Sequence, residues 1–454
     1  MVPFTLKQAL EAMGGRYFGD ENMLEERVLG VTIDSRAVKP GFLFIPIKGE
    51  RFDGHSFIPA ARESGALCCL SECPDTGKPT ILVKSALAAF QALAAFYRSM
   101  FDIPFVGITG SVGKTTTKEL IAGVLTQKYN VLKNEGNLNN QTGVPITVMR
   151  LESFHEAAVI EMGTNHFGEI ASLSSIVNPK VCVLTNIGEA HLEHLGSKEG
   201  ILKAKSEMLD YMEPGGTVII NGDDPLLVTL LQRCPEAVTY GLGEHNKIRA
   251  KNITGMGLDG TRFTAVCGGV ETELHVPAPG THMVLNALAA FAVGRALGVP
   301  KPLIKLGISS FEPSAGRMDI TETGGIRIIN DAYNANPTSM KASISIAAKT
   351  PGRSVCVLGD MFELGENEAG YHRSVGKHAA DEGAELVLCV GRLARHIYEG
   401  ARENGAEALH FTDKESLIAA LPGIIKSGDT VLVKASHGMH LETVVEWLKE
   451  NYRE

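Results

Sequence analysis

Residues 103–125 read IPFVGITGSVGKTTTKELIAGVL. A short apolar run ends among three glycines, Gly107, Gly110 and Gly113, and helical spacing begins at Lys114. This is strand, tight loop, helix, and the order recurs. AAVIEMG, KVCVLTNI and GTVIIN read as further buried strands with helical stretches between them, and so do SVCVLGD, ELVLCVG and DTVLVKAS later on. Alternation of this kind requires parallel sheets covered on both faces, an α/β fold.

At 454 residues the chain has room for about three domains. The first, 1–102, is expected to be a small α/β unit. It holds VLGVTIDSR and GFLFIPIKG as strands, and a helix over 85–101 closes it. The second, 103–315, is a central P-loop-like, mostly parallel sheet. It carries an antiparallel addition (TRFTAVC, ETELHV) and a strong helix over 282–297. The third, 316–454, is a Rossmann-like doubly wound domain.

The net charge of −9 argues against a general nucleic-acid binder, although a local pocket can still be positive. The eight cysteines form no C-x-x-C pair and suit a reducing compartment. The first residues do not read as a signal peptide, and no uncharged apolar run reaches membrane-spanning length. A cytoplasmic protein, monomeric by default, is expected.

The loop carries the first chemistry. Glycines let a backbone approach phosphate, and the N-terminus of a helix attracts it. Gly110, Ser111, Val112, Gly113, Lys114, Thr115 and Thr116 are the expected nucleotide contacts. Lys114 would reach the β- and γ-phosphates, and the Thr115 hydroxyl would bind Mg²⁺. The spacing departs from G-x-x-x-x-G-K-S/T, which would need glycine where Ile108 stands. Glu161 ends an apolar strand where open sheets bind ligands, and a carboxylate there suits Mg²⁺. His191 and His194 lack further ligands at zinc-like spacing.

T-G-x-x-G-K-S/T is similar to the loop of the Mur ligases and their relatives, the folylpolyglutamate synthetases, which use ATP to join a carboxylate to an amine. Further motifs follow in order. GNLNNQTGVP resembles N-x-N-N-x-x-G-x-P, which implies Asn137 near the γ-phosphate and metal, and Thr142 near the sugar-nucleotide substrate. NIGEAHL resembles N-I-x-x-A-H-L and implies His191 as a ligand of a second Mg²⁺. KAKSEML implies that Lys205, or else Lys203, is carbamylated and holds metal. HMVLNALAA implies Asn286 at the adenine, and SAGRMD implies Arg317 as a phosphate clamp.

NDAYNANPTSM resembles the D-x-Y-N-A-N-P-x-S of family members that add a dipeptide. It implies Asp331 and Asn334 toward the nucleotide, and Tyr333 and Asn336 toward the substrates. VLGDMFELG with His372 fits the same members. DSRAVKPGFLFIPIKGERFDGH resembles the D-S-R…G-x-x-x-D-G-H pattern and implies Ser35 and Arg36 at the nucleotide-sugar. VLVKASHGMH carries Ala435 and His437 where the family pattern has glycine and arginine.

The resemblance implies an ATP- and Mg²⁺-dependent ligase acting on UDP-N-acetylmuramoyl-tripeptide and D-alanyl-D-alanine, with Lys114, Glu161, His191 and Lys205 as its catalytic set. The alternatives are a family member adding a single amino acid, and a P-loop kinase or NTPase without ligase activity. The third residue of the tripeptide is not legible.

Overall fold

The computed structural model describes residues 1–49, 52–74, 77–189 and 191–453. Glu50, Arg51 and Ala190, which fall inside two of the quoted motifs, lie outside the described residues. The chain is α/β, its largest sheet has nine strands, and its packing divides into two compact units.

The first unit comprises Met1–Ile108, Tyr129–Cys182 and Ser206–Thr217. It opens with a five-stranded sheet in the order Arg16–Phe18, Thr80–Leu82, Cys68–Ser71, Phe42–Phe44, Gly30–Thr32. All pairings are parallel except the first. Val38, Phe44, Ile58, Ala61 and Cys69 pack together against it. Cys68 and Cys69 are therefore core thiols, and burial pushes the Cys69 thiol up to about 11. The helix Ala86–Ser99 starts where the Ser85 hydroxyl accepts the Ala88 N–H at 3.3 Å. Farther along, Phe105–Thr109 and Val131–Lys133 flank Ala157–Glu161 in parallel, with Glu161 opposite Ile108. Glu161 thus stands at the carboxyl edge of a fully buried strand, as the sequence implies.

The second unit comprises Thr109–Lys128, Val183–Lys205 and Val218–Glu454. Thr217–Asn221, Val238–Gly241 and Ile248–Gly255 run parallel. Thr261–Cys267 and Val270–Val276 continue the same sheet antiparallel, so the expected addition is an extension of one sheet. The helix Thr281–Ala296 buries all its faces, which its alanines at 287, 289, 290 and 292 permit without overpacking. It packs on the helix Lys114–Leu125 that follows the glycine loop.

The rest of this unit is a six-stranded sheet, ordered Asp319–Thr323, Ile326–Asn330, Thr430–Lys434, Ser354–Gly359, Leu386–Val390, Ala408–Phe411. Only the first pair is antiparallel. Alternate residues feed two separate cores. Cys356 and Leu358 meet Ile344, Val375 and Ile397, whereas Val355 and Val357 meet Leu417, Leu421 and Val444. Both faces are covered, which is the doubly wound arrangement. Among the described residues no helix is long and apolar enough to cross a membrane.

Candidate functional site

The glycine loop is built by backbone conformations that exclude side chains. Gly113 has φ +79° as the last residue before the helix, and a Cβ there would lie 2.9 Å from Asn286 Oδ1. Gly110 has φ +152°, and a Cβ there would lie 1.9 Å from Thr185 Oγ1. Each glycine lets a polar side chain from elsewhere come up against the loop.

Those side chains tie the loop down. Asn186 accepts the Val112 N–H on Oδ1 at 2.9 Å and donates from Nδ2 to the Val112 carbonyl at 3.0 Å. Its own carbonyl accepts the Ser111 N–H at 3.0 Å. Thr185 Oγ1 also donates to the Val112 carbonyl, at 2.7 Å, and the Gly188 N–H donates to Ser111 Oγ at 2.8 Å. The segment NIGEAHL therefore acts first as the brace of the loop, a role its motif does not declare. Lys114 Nζ lies across the loop, donating to the carbonyls of Gly110 at 2.8 Å and Ser111 at 3.3 Å. Thr115 is buried in the first helical turn, and Thr116 is half-buried beside it. Asn286 sits beneath this turn, accepting from Thr117 Oγ1 at 3.2 Å.

Lys205 is 1% exposed, and among the described residues no carboxylate pairs with it. Burial first, and the Lys114 ammonium second, push it well below the ordinary lysine range. A buried neutral amine is the form that reacts with carbon dioxide. Lys203, the alternative, has no comparable burial.

His191 has φ +61°, and its Nδ1 meets Glu363 Oε2 at 2.5 Å. Glu363 also has φ +61°. Two non-glycine residues in the left-handed region, joined by one short hydrogen bond, are a strained pair whose surroundings must hold them. A carboxylate can only accept, so Nδ1 is the donor of this hydrogen bond. Near by, Glu189 accepts from Lys198 Nζ at 2.7 Å and from Thr338 Oγ1 at 3.0 Å. Burial raises its pKa, but Lys198 and Thr338 outweigh this and hold the carboxyl below its usual range.

The DAYNANP segment is held in place by residues outside it. Asp331 accepts from Lys434 Nζ at 2.5 Å, Ser343 Oγ at 2.6 Å and the Met318 N–H at 3.1 Å. Lys434 also donates to the Asn334 carbonyl at 2.9 Å. Asn336 caps the helix Pro337–Lys349, accepting the Ser339 N–H at 2.9 Å. Tyr333 lies under the Arg317 guanidinium at 3.9 Å, with the His437 ring 5.5 Å away. His437 thus packs beside an aromatic ring where the family pattern has arginine.

In the first unit, Asn139 rather than Asn137 meets Glu161, donating from Nδ2 to Oε1 at 2.8 Å. Asn134 brackets the same residue, accepting its N–H and donating to its carbonyl, both at 2.9 Å. Asn137 is exposed, and Thr142 donates to Asn140 Oδ1 at 3.1 Å. Arg36 pairs with Asp34 at 2.8 Å beside the half-buried Ser35, and this hydrogen bonding holds the Asp34 carboxyl at about 2. Sequence reading missed Asn139, Asn186, Glu189 and Glu363. Each stands inside a quoted motif, and that was the available signal. Among the described residues no three His, Cys, Asp or Glu side chains gather as a metal group. The expected magnesium set differs in kind, because it includes a threonine hydroxyl and a lysine carbamate.

A braced glycine loop between a buried strand and a helix, with a lysine laid across its carbonyls, defines a nucleotide-binding α/β protein. Three family models match this chain: "Mur ligase family, catalytic domain" over 27–98, "Mur ligase middle domain" over 108–294, and "Mur ligase, glutamate ligase domain" over 316–437. The chain belongs to the Mur ligase family. The UDP-N-acetylmuramoyl-tripeptide–D-alanyl-D-alanine ligase of Bacillus subtilis is 39% identical, over 99% of both chains. Its Escherichia coli namesake is 36% identical, over 99% of both. The crystal structure of MurF from Acinetobacter baumannii superposes with a TM-score of 0.93 at 31% identity, covering 99% of each chain. MurF ligase from Thermotoga maritima, solved in complex with ADP, gives 0.84 at 29% identity over 94% of this chain and 98% of its own.

Proposed function

We propose that this enzyme joins D-alanyl-D-alanine to the terminal carboxylate of UDP-N-acetylmuramoyl-tripeptide, driven by ATP, in peptidoglycan precursor synthesis. One observation carries the reading. The DAYNANP segment and the braced T-G-x-x-G-K-T loop lie in a chain aligned end to end with relatives of that name. ATP sits on the loop, as the ADP-bound relative supports.

The reaction must bring an anionic carboxylate to an anionic γ-phosphate. Lys114 supplies positive charge at the loop, and the helix end behind it adds to the field. The tripeptide carboxylate attacks the γ-phosphorus, and ADP leaves. The dipeptide amine then attacks the acyl carbon, a C–N bond forms, the C–O bond to phosphate breaks, and the amine sheds a proton. Activation replaces a poor leaving group with phosphate. Mg²⁺, when bound, neutralises phosphate charge. Thr115, Glu161, His191 and a Lys205 carbamate are its proposed ligands, a donor set of hard oxygens with one imidazole. The buried Lys205, whose charged form burial disfavours, fits carbamylation, and Glu363 fits a role in presenting His191 Nε2. Ser35, Arg36 and Thr142 are assigned to the nucleotide-sugar, Tyr333 and Asn336 to the incoming amine, and Asn137, Asn286, Arg317, Asp331 and Asn334 to the nucleotide. Cytoplasmic location and a monomeric state belong to the same reading.

The test is ADP release with ATP, Mg²⁺ and UDP-N-acetylmuramoyl-tripeptide, with dipeptide or single amino acids as the amine, and product mass by spectrometry. Dipeptide-dependent release with a UDP-muramoyl-pentapeptide mass supports the reading. Coupling only to a single amino acid, or ADP release that ignores the amine, overturns it.

A further inference from the structure

The second unit holds a cleft of about 300 Å³, lined by Glu189, Pro337, Thr338, Lys341, Asn367, Gly370, Tyr371 and Ser374. Its volume is at the lower end for small-molecule sites. Two quoted motifs border it, through Glu189 and through Pro337 and Thr338, but Lys341 lies beyond both, and Tyr371 and Ser374 stand on the helix Glu368–Asp381.

The cleft has a direction. At one end is Glu189. Its neighbour Gly188 donates to Ser111 of the phosphate loop at 2.8 Å, so this carboxylate stands beside the place where phosphate is handled. Thr338, at the start of the helix Pro337–Lys349, closes that end by its 3.0 Å bond to Glu189. Lys341 comes one helical turn after Pro337 and lines the same cleft. Pro337 and the Tyr371 ring supply apolar surface to the lining. Glu189, paired with Lys198 at 2.7 Å, brings an acidic oxygen to the phosphate end, Lys341 adds a cation to the lining, and Pro337 and Tyr371 add small apolar surface, a set that matches a short zwitterionic peptide with small side chains. The polarity also agrees with the chemistry, because the attacking amine must reach the acyl phosphate while the free carboxylate points away.

Resting on the ligase reading, we infer that this cleft seats the incoming dipeptide, with Glu189 orienting its amino end and Lys341 binding its terminal carboxylate. Lys341 is then the residue that makes the site require a free carboxylate at dipeptide length.

The probes are D-alanyl-D-alanine and its C-terminal amide, D-alanyl-D-alaninamide, compared by ADP release and product mass. With the wild-type enzyme, loss of the carboxylate raises KM roughly tenfold or more, the range expected for a charged hydrogen bond. In Lys341→Ala the KM for the dipeptide rises by the same factor, and the preference for dipeptide over amide collapses to near unity. KM for ATP and the melting temperature stay at wild-type values, and Lys341→Arg restores much of the preference. A Lys341→Ala enzyme that keeps the wild-type preference overturns the cleft assignment and leaves the ligase reading intact. A wild-type enzyme that makes no dipeptide adduct overturns the ligase reading itself.

Discussion

Lys114 and Lys205 are the two cations whose surroundings say most. Lys114 is the loop's own charge, and Lys114→Ala is expected to lower kcat by about 10²–10³, as loss of a transition-state charge contact does. Single-turnover acyl-phosphate formation is the measurement, and near-normal rates would remove Lys114 from the chemistry. Lys205 is buried, and burial first and the Lys114 ammonium second lower its pKa well below the ordinary lysine range. Lys205→Ala is expected to be nearly inactive and partly restored by small carboxylates added to the assay. Full activity without rescue would make Lys205 a packing residue. Glu363 is the third residue of note, because it fixes one nitrogen of His191. Glu363→Ala is expected to weaken Mg²⁺-dependent ADP binding by roughly 10- to 100-fold, as for lost partners of metal-binding histidines. Titration calorimetry with and without Mg²⁺ reads this directly, and an unchanged Mg²⁺ effect would refute it.

At the scale of elements, the helix Glu368–Asp381 is pinned by His372. Its Nδ1 donates to the Glu368 carbonyl at 2.7 Å, and its Nε2 accepts the Met361 N–H at 2.9 Å. Only the neutral ring can make both bonds, and burial lowers its pKa accordingly. The folded pKa lies below the unfolded one, so the unfolded chain binds the extra proton first. The stability this ring contributes is held above the ordinary histidine range and lost as pH falls through it. Melting temperature is therefore expected to drop between pH 7.5 and 5.5. His372→Ala, which leaves a buried Met361 N–H unpaired, is expected to cost about 1–3 kcal/mol and to flatten that pH dependence. A variant with the wild-type slope would show that His372 does not report on pH. The half-buried His282, whose pKa desolvation likewise lowers, adds a second contribution of the same sign, so the flattening is partial.

For the whole molecule, nucleotide binding and folding are linked. ADP at a hundred times its Kd should add about 2.7 kcal/mol to the stability of the state that binds it. The transition that reports the braced loop is expected to move upward in temperature with ADP, and Lys114→Ala to lose most of that shift. A wild-type enzyme unmoved by ADP would remove the loop as a nucleotide site.

The order of strands and helices was legible from residue patterns alone, because period-two apolar runs and glycine punctuation are local properties of the chain. So were the loop, Glu161 at its strand end, and the buried helix at 281–296. Several strands were not marked, among them Asp319–Thr323, which alternates weakly, and Ala408–Phe411, which is short and half-exposed. The motifs located the site's neighbourhoods but not its partners. Asn139 and not Asn137 meets Glu161, and Asn186 braces the loop it follows by many residues. Glu363 holds His191, and Glu189 faces Thr338 across a cleft. Each of these pairs joins residues far apart in sequence or chooses among adjacent asparagines. Such a choice depends on side-chain direction and burial, which exist only once the backbone has closed on itself.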